Sequence, residues 1–284
     1  MKLKVTHEIT TTFDPPRRRF VQSHRLHPGN LASQKVLSWK VDLSRGTTGA
    51  SFTDGAGNVT TTFSTPGDVS EVTVSVTGEV ETVDTLGVLR DFKEKTPPTT
   101  YLTPTRLTRS DPPIAALAKS ALAGIAADAG LDRAHALTKA VGDALETVEF
   151  EELGAPPTAA EALEAGEGSA SDQAHLLIAL ALTSDMPARF VCGYRGDVSS
   201  TEQWQSEKDT LFQPPWTAHG WAELWVEGLG WVGFDPANAC CPDENYIRLC
   251  SGRDVSDAAP LRGLALGQGG ASQQVRLDVA ATAQ

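Results

Sequence analysis

Three short segments of this 284-residue chain carry residues that could do chemistry together. Ser169-Ala170-Ser171-Asp172 opens an apolar run, and its S-x-x-D spacing predicts a helix start with a capping box and Ala170 at the first helical position. Helix N-termini present unsatisfied amides and the positive end of the dipole, so a thiol placed there would be held as thiolate. His219 stands at the start of a strand whose apolar positions are Ala222, Leu224 and Val226. Asp235 ends a second strand, in which Val232 and Phe234 are apolar. If Gly228-Leu229-Gly230 turns one strand into the other, the apolar faces coincide only when paired residue numbers sum to an even value. His219, Trp221, Glu223 and Asp235 then share the opposite face. A three-residue loop would pair Asp235 with Glu223, too far along to reach His219, and one or two bulges near Gly230 or Gly233 are expected to close the gap. An Asp on one imidazole nitrogen fixes the tautomer and leaves the other nitrogen to act as a base.

Gly168-Ser169-Ala170-Ser171-Asp172-Gln173-Ala174-His175, then Ala218-His219-Gly220-Trp221, then Gly230-Trp231-Val232-Gly233-Phe234-Asp235-Pro236 resemble the core of bacterial transglutaminase-like proteins. Those proteins are relatives of the papain-like cysteine peptidases, and their pattern runs Gly-x-Cys-x-Asp-x-Ala-His, His-x-Trp, Asp-Pro. The resemblance implies a Cys-His-Asp triad that transfers an acyl group from a glutamine or peptide amide to an amine or to water. By that match His219 is the base, Asp235 its orienting acid, and Ala170 occupies the nucleophile's place. Alanine has no lone pair to attack with, so the chain as written is expected to be inactive in acyl transfer. Two other readings stay open: a naturally inactive peptide- or protein-binding protein, and a serine hydrolase using Ser169 or Ser171. Neighbouring helical residues project about 100° apart, which turns both hydroxyls away from the direction of residue 170. The implied partners are a peptide or protein substrate and, for transamidation, an amine; no cofactor is implied.

These residues must be positioned by two unlike regions. Residues 1–90 read as all-β: Leu37, Trp39, Val41 and Leu43 alternate with polar residues, as do Val72, Val74 and Val76. Asp54-Gly55-Ala56-Gly57-Asn58 signals a hairpin turn. A β-sandwich is the expected closure, and this half resembles the N-terminal region that accompanies bacterial transglutaminase-like cores. Residues 91–113, with Pro97, Pro98, Pro104, Pro112 and Pro113, read as an extended connector. From 114 to 284 the expectation is an α+β, papain-like core. Ala134, Leu137, Val141, Leu145 and Val148 form one helical stripe, and Leu176–Leu182 is apolar enough to be buried on most sides. Strand character returns at 190–194, at 218–236, and at Val275, Leu277 and Val279. Five of the six Trp fall between 204 and 231; Trp221 and Trp216 are the candidates for substrate contact, aromatic core being the alternative. The Gly/Ser/Gln-rich stretch 195–217 suits a long loop at the cleft. Arg253-Asp254 is expected to form a structural ion pair.

Composition narrows the rest. The net charge of −12 is uneven: residues 1–45 hold nine Lys/Arg against three acids, and this local +6 leaves −18 elsewhere. Between Lys139 and Arg189 there is no Lys or Arg while ten Asp/Glu occur, which disfavours nucleic acid as a partner. The run Arg17-Arg18-Arg19 is read as a solvated loop, with docking onto the acidic half as the alternative. Cys240 and Cys241 are adjacent, Cys192 lies in an apolar strand, and no CxxC pair accompanies Cys250, so reduced thiols without a metal are expected. No apolar stretch is long enough to span a bilayer and the N-terminus lacks an apolar signal region, which makes a cytoplasmic location the default expectation.

Overall fold

The structure is a computed structural model and describes residues 1–148, 156–196, 198–206, 211–212 and 218–282. In β1 (Lys2–His24) the residues Leu3, Val5, His7, Ile9, Thr11 and Phe13 alternate inward and are buried, the period-2 signature of a strand with one covered face. β2 (Gln34–Leu43), β3 (Thr47–Thr53) and β4 (Val59–Thr82) follow, and β3 turns into β4 at the anticipated Asp54–Asn58 hairpin. Asp54 Oδ1 accepts the backbone amides of Ala56 and Asn58 there, which is why Asp suits the position. The connector carries one 3-10 turn at Pro98–Leu102.

Four helices come next among the described residues: α1 (Pro112–Ala121), α2 (Gly130–Ala144), α3 (Ala159–Ala165) and α4 (Ala170–Leu182). α2 buries Ala134, Leu137 and Val141 but stops at Ala144, short of the expected stripe. Leu145 is its C-cap, and the next residues form β5 (Glu146–Thr147), parallel to β6 (Glu167–Gly168) just before α4. Later strands are β7 (Ala188–Arg195), β8 (Val198–Ser206), β9 (Leu211–Phe212), β10 (His219–Val226), β11 (Gly230–Phe234), β12 (Tyr246–Gly252), β13 (Leu261–Leu266) and β14 (Gly270–Thr282).

Two antiparallel sheets organise the molecule. Among the described residues the larger has eight strands, with β4 beside β1 and β2 and β3 beside β4. The other edge of β1 is shared: β14 pairs with it from Lys2↔Thr282 to Asp14↔Gly270, and β13 from Arg19↔Leu266 to His24↔Leu261. Residues 261–282, which the sequence groups with the core, therefore complete the sheet that residues 2–82 begin. Between these two stretches β1 bends, and Arg17 sits in the bend. It is fully buried and donates to the carbonyls of Pro15, Gln268, Gly269 and Gly270. The basic run is therefore neither wholly solvated nor docked on the acidic half at this position: Arg17 clamps the turn into β14 while Arg18 and Arg19 face solvent.

The smaller sheet, in the order β11-β10-β7-β12, carries the candidate site. α4 packs on β10 and β7, where Ala222, Leu224, Val226 and Phe190 are buried. The chain just before the connector seals the outer edge of β11: Leu89 N–H donates to the Trp231 carbonyl, and Gly233 N–H to that of Gly87, each at 2.9 Å. That pairing satisfies main-chain groups an open edge would leave exposed.

Candidate active site

α4 begins where the spacing requires. Ser169 is the N-cap, its hydroxyl donates to Asp172 Oδ2 at 2.7 Å, and its backbone N–H donates to the same oxygen at 3.0 Å. Asp172 N–H returns to Ser169 Oγ, closing the capping box and leaving Ala170 as the first helical residue. Burial pushes the Asp172 carboxyl upward, against the two bonds from Ser169 that lower it.

The first turn of α4 lies against the start of β10. Gly220 has no room for a side chain: a Cβ there would be 2.9 Å from Ser171 Oγ and 2.5 Å from the Phe190 ring. The residue after Ala170 thus abuts the residue after His219, and the Ser171 hydroxyl is directed at the strand's helix-covered face. On the other face, His219 Nε2 is 2.6 Å from Asp235 Oδ2. Asp235 is fully buried and the His219 side chain is 10% exposed, so the pair is largely shielded from solvent.

The hairpin reaches this geometry without a bulge. Val226 pairs with Gly230 and Ala222 with Phe234, so the loop is Glu227-Gly228-Leu229, one residue earlier than the assumed turn. Pairs still sum to an even number, which preserves the shared face, but Asp235 falls level with Trp221 rather than Glu223. From there it is two residues from His219, within diagonal cross-strand reach. No bulge at Gly230 or Gly233 is needed, because the earlier turn alone brings Asp235 within reach; Gly228 and Gly230 take the positive φ that this turn requires.

Asp235 also caps the 3-10 turn Pro236–Asn238. Its Oδ1 accepts Asn238 N–H at 3.3 Å, and its Oδ2 accepts Asn238 Nδ2 and the Tyr246 hydroxyl, each at 2.8 Å. Burial works against ionisation, but His219, Asn238 and Tyr246 outweigh it and hold the carboxyl below its ordinary range. Asn238 was detectable, since Asp-Pro-Ala-Asn is an N-cap with Pro at the first turn position. Tyr246 had no local signal; only strand pairing of β12 with β7 delivers it.

Trp221, expected at the cleft wall, is 2% exposed and forms a floor instead. Its indole fills the space left by two glycines, where a Cβ on Gly193 would meet it at 2.4 Å and one on Gly233 at 3.5 Å. It stacks beneath His219 and meets Tyr246 edge-on at 5.6 Å between centroids. The other expected substrate residue, Trp216, lies outside the described residues, as does part of the 195–217 stretch.

Further along this face lies a buried ion cluster that the sequence did not announce. Glu223 accepts from Arg189 Nε at 2.6 Å and from Arg248 Nε at 2.7 Å, and Arg189 also pairs with Glu94 of the connector. The two arginines overcome the burial of Glu223 and bring its carboxyl down to about 2. Arg189 lies 4.0 Å over the Trp231 ring, whose N–H donates to Glu94.

Among the described residues no group of three or more His, Cys, Asp or Glu could hold a metal ion, and no helix is long and apolar enough to cross a membrane. Cys192 is buried in the core, and burial raises its thiol well above the ordinary value. Arg253 pairs with Asp257 at 3.5 Å rather than with Asp254, whose carboxylate instead accepts the Asp257 amide. His175, the last residue of the first motif, accepts Val255 N–H and ties this loop to α4.

A helix-capped first turn, a His-Asp pair on an adjoining antiparallel strand and a β-rich partner region define a transglutaminase-like protein of the bacterial type. The chain belongs to that class: residues 115–236 match the transglutaminase-like superfamily, and residues 3–81 match the bacterial transglutaminase-like N-terminal region. An uncharacterized protein of Mycobacterium leprae is 26% identical over 303 aligned positions, covering 98% of each chain. One from Mycobacterium tuberculosis is 35% identical over 108 positions, 37% of this chain and 32% of that protein. The crystal structure of a candidate cysteine protease from Cytophaga hutchinsonii superposes on the whole chain and 91% of its own length, with a TM-score of 0.72 at 20% identity. At that identity the superposition establishes a shared fold.

Proposed function

We propose that the site at His219 is built for acyl transfer from an amide and that, with Ala170 in the nucleophile's place, this chain binds amide-bearing peptides without turning them over. The observation that carries the reading is the 2.6 Å contact between His219 Nε2 and Asp235 Oδ2 beside the N-terminus of α4. In the chemistry this arrangement serves, a thiolate at position 170 attacks the amide carbonyl while His219 holds the thiol's proton. The tetrahedral adduct collapses as His219 passes that proton to the leaving amine or ammonia, and a second amine or water then releases the acyl group. Asp235 stays ionised and orients the ring throughout.

The serine hydrolase reading is weaker. The Ser169 hydroxyl is committed to Asp172 and that of Ser171 is directed at Gly220, so neither faces the His219 ring. The naturally inactive binding protein draws its support from Ala170 itself, and both remaining readings use the same cleft.

The deciding experiment is Ala170→Cys. The new thiol is expected to titrate well below the free value of about 8.5, read as iodoacetamide labelling at position 170 against pH, and His219→Ala should abolish that shift. The same variant should release ammonia or a free amine from glutamine-containing or peptide substrates. A thiol of ordinary acidity, indifferent to His219, would show that the triad does not assemble and would sink the reading.

A further inference from the structure

The contacts of Asp235 extend beyond the pair it forms with His219. Oδ2 accepts three donors, from His219, Asn238 and Tyr246. Tyr246 Oη also lies 3.4 Å from Cys240 Sγ. A phenol has one proton, and that of Tyr246 is given to Asp235, so the Cys240 thiol must be the donor to the phenol oxygen. From Cys240 through Tyr246 each proton is passed toward the Asp235 carboxylate. Burial and the neighbouring Asp235 charge push the Tyr246 hydroxyl up and keep it protonated, while burial raises the Cys240 thiol. Both therefore remain donors across the ordinary pH range. The ring is fixed as well, edge-on to Trp221 and 5.8 Å from the His219 ring.

We propose that Tyr246 is a positioning residue of this site: its hydroxyl, oriented by Cys240, locks the Asp235 carboxylate against His219 Nε2. The purpose of that lock rests on the acyl-transfer reading, whereas its geometry does not. Asn238 alone holds the carboxylate through its own turn, from one side. Tyr246 arrives from a different strand, so it prevents rotation about the Asp235 side chain that a single turn would permit. Among the described residues, the titratable and charged groups facing Asp235 are His219 on β10, Tyr246 on β12 and, behind it, Cys240 with Asp243 and Arg195.

The test uses the chain as it stands, with carbon-13-labelled aspartate and carboxyl NMR. Losing one hydrogen bond to a carboxylate should raise the Asp235 midpoint in Tyr246→Phe by about one pKa unit, a tenfold gain in proton affinity. Cys240→Ala should move it the same way by less. In Ala170→Cys, adding Tyr246→Phe should slow alkylation at position 170 near neutral pH, an effect a purely structural side chain would not produce in a folded protein. An unchanged Asp235 midpoint in folded Tyr246→Phe overturns the proposal. Should that variant not fold, replacing all three tyrosines by 3-fluorotyrosine gives a stronger donor at Tyr246, while Tyr194 bonds His7 and Tyr101 packs on Trp231. The Asp235 midpoint should then fall, and its staying put would overturn the proposal equally. Failure of Asp235 to respond leaves the acyl-transfer reading intact, and an unactivated thiol at position 170 sinks that reading whatever Asp235 does.

Discussion

Glu223 illustrates at the scale of one residue how the face that carries His219 is held in place. Two arginines converge on a carboxylate with almost no exposure, and each is itself buried. Removing that charge while keeping its shape, as in Glu223→Gln, takes the carboxylate from buried Arg248 and leaves Arg189 with Glu94 alone. Such a break costs about 3–5 kcal/mol, so the variant is expected to show a large fall in urea midpoint or to fail to fold. Acid should act on the same group. The folded carboxyl titrates near 2, below the ordinary 4.5, so its contribution is complete above 4.5 and fades as pH falls toward 2. An unaltered urea midpoint for Glu223→Gln would mean that the cluster is not closed in solution. Ala170 is the opposite case. A methyl group at the head of a well-capped helix is structurally bland, and its meaning comes wholly from what lies beside it.

Between elements, the relation that matters most is α4 against β10, and Gly220 is its hinge of contact. A methyl group there would strike the Phe190 ring, which is itself buried, and the Ser171 hydroxyl. Overpacking of this kind costs about 1–3 kcal/mol. Gly220→Ala is therefore expected to be less stable. In the Ala170→Cys background it should also lose much of the thiol activation, because the helix is pushed off the strand that carries His219. Equal stability, together with full activation in the Ala170→Cys background, would show that the two elements are not in contact. The connector belongs to this scale too. Its Glu94 reaches Arg189, and the Gly87–Leu89 stretch just before it covers the edge of β11, so a segment that reads as a linker is tied into the site's frame.

Across the whole molecule, buried histidines set the response to acid. Burial brings His7 and His24 in the larger sheet down to about 3 and His175 in α4 down to about 4, all from an ordinary 6.5. All three are neutral in the fold and become charged on unfolding below 6.5, so the unfolded chain binds more protons and stability must fall as pH falls. Each proton contributes about 1.4 kcal/mol per pH unit, so three together give about 4 kcal/mol per unit near pH 5.5. Equilibrium urea unfolding between pH 6.5 and 5 is expected to show this slope before most carboxylates titrate. A flat stability profile in that window would contradict the burial of these rings.

The sequence by itself determined the local facts. The capping box at Ser169–Asp172, the Asp54–Asn58 turn, the alternation in β1 and β4 and the common face of His219 and Asp235 all follow from period and turn chemistry, which act over a few residues. The even pairing of the 219–235 hairpin survived a turn assigned one residue late, because apolar faces coincide in any even register. What tertiary structure alone decided is everything that depends on distance along the chain. β14 finds β1 across more than 250 residues, Arg17 leaves the surface to hold the turn between β13 and β14, and the α2 stripe ends early so that Glu146–Thr147 can pair beside α4. Glu94, Arg189, Glu223 and Arg248 are scattered singly through the sequence and meet only when the connector folds over the sheet. Tyr246 reaches Asp235 by the same means. A side chain's own neighbours fix its helix or strand, whereas the partners that neutralise or orient it in the interior come from elements that only packing brings together.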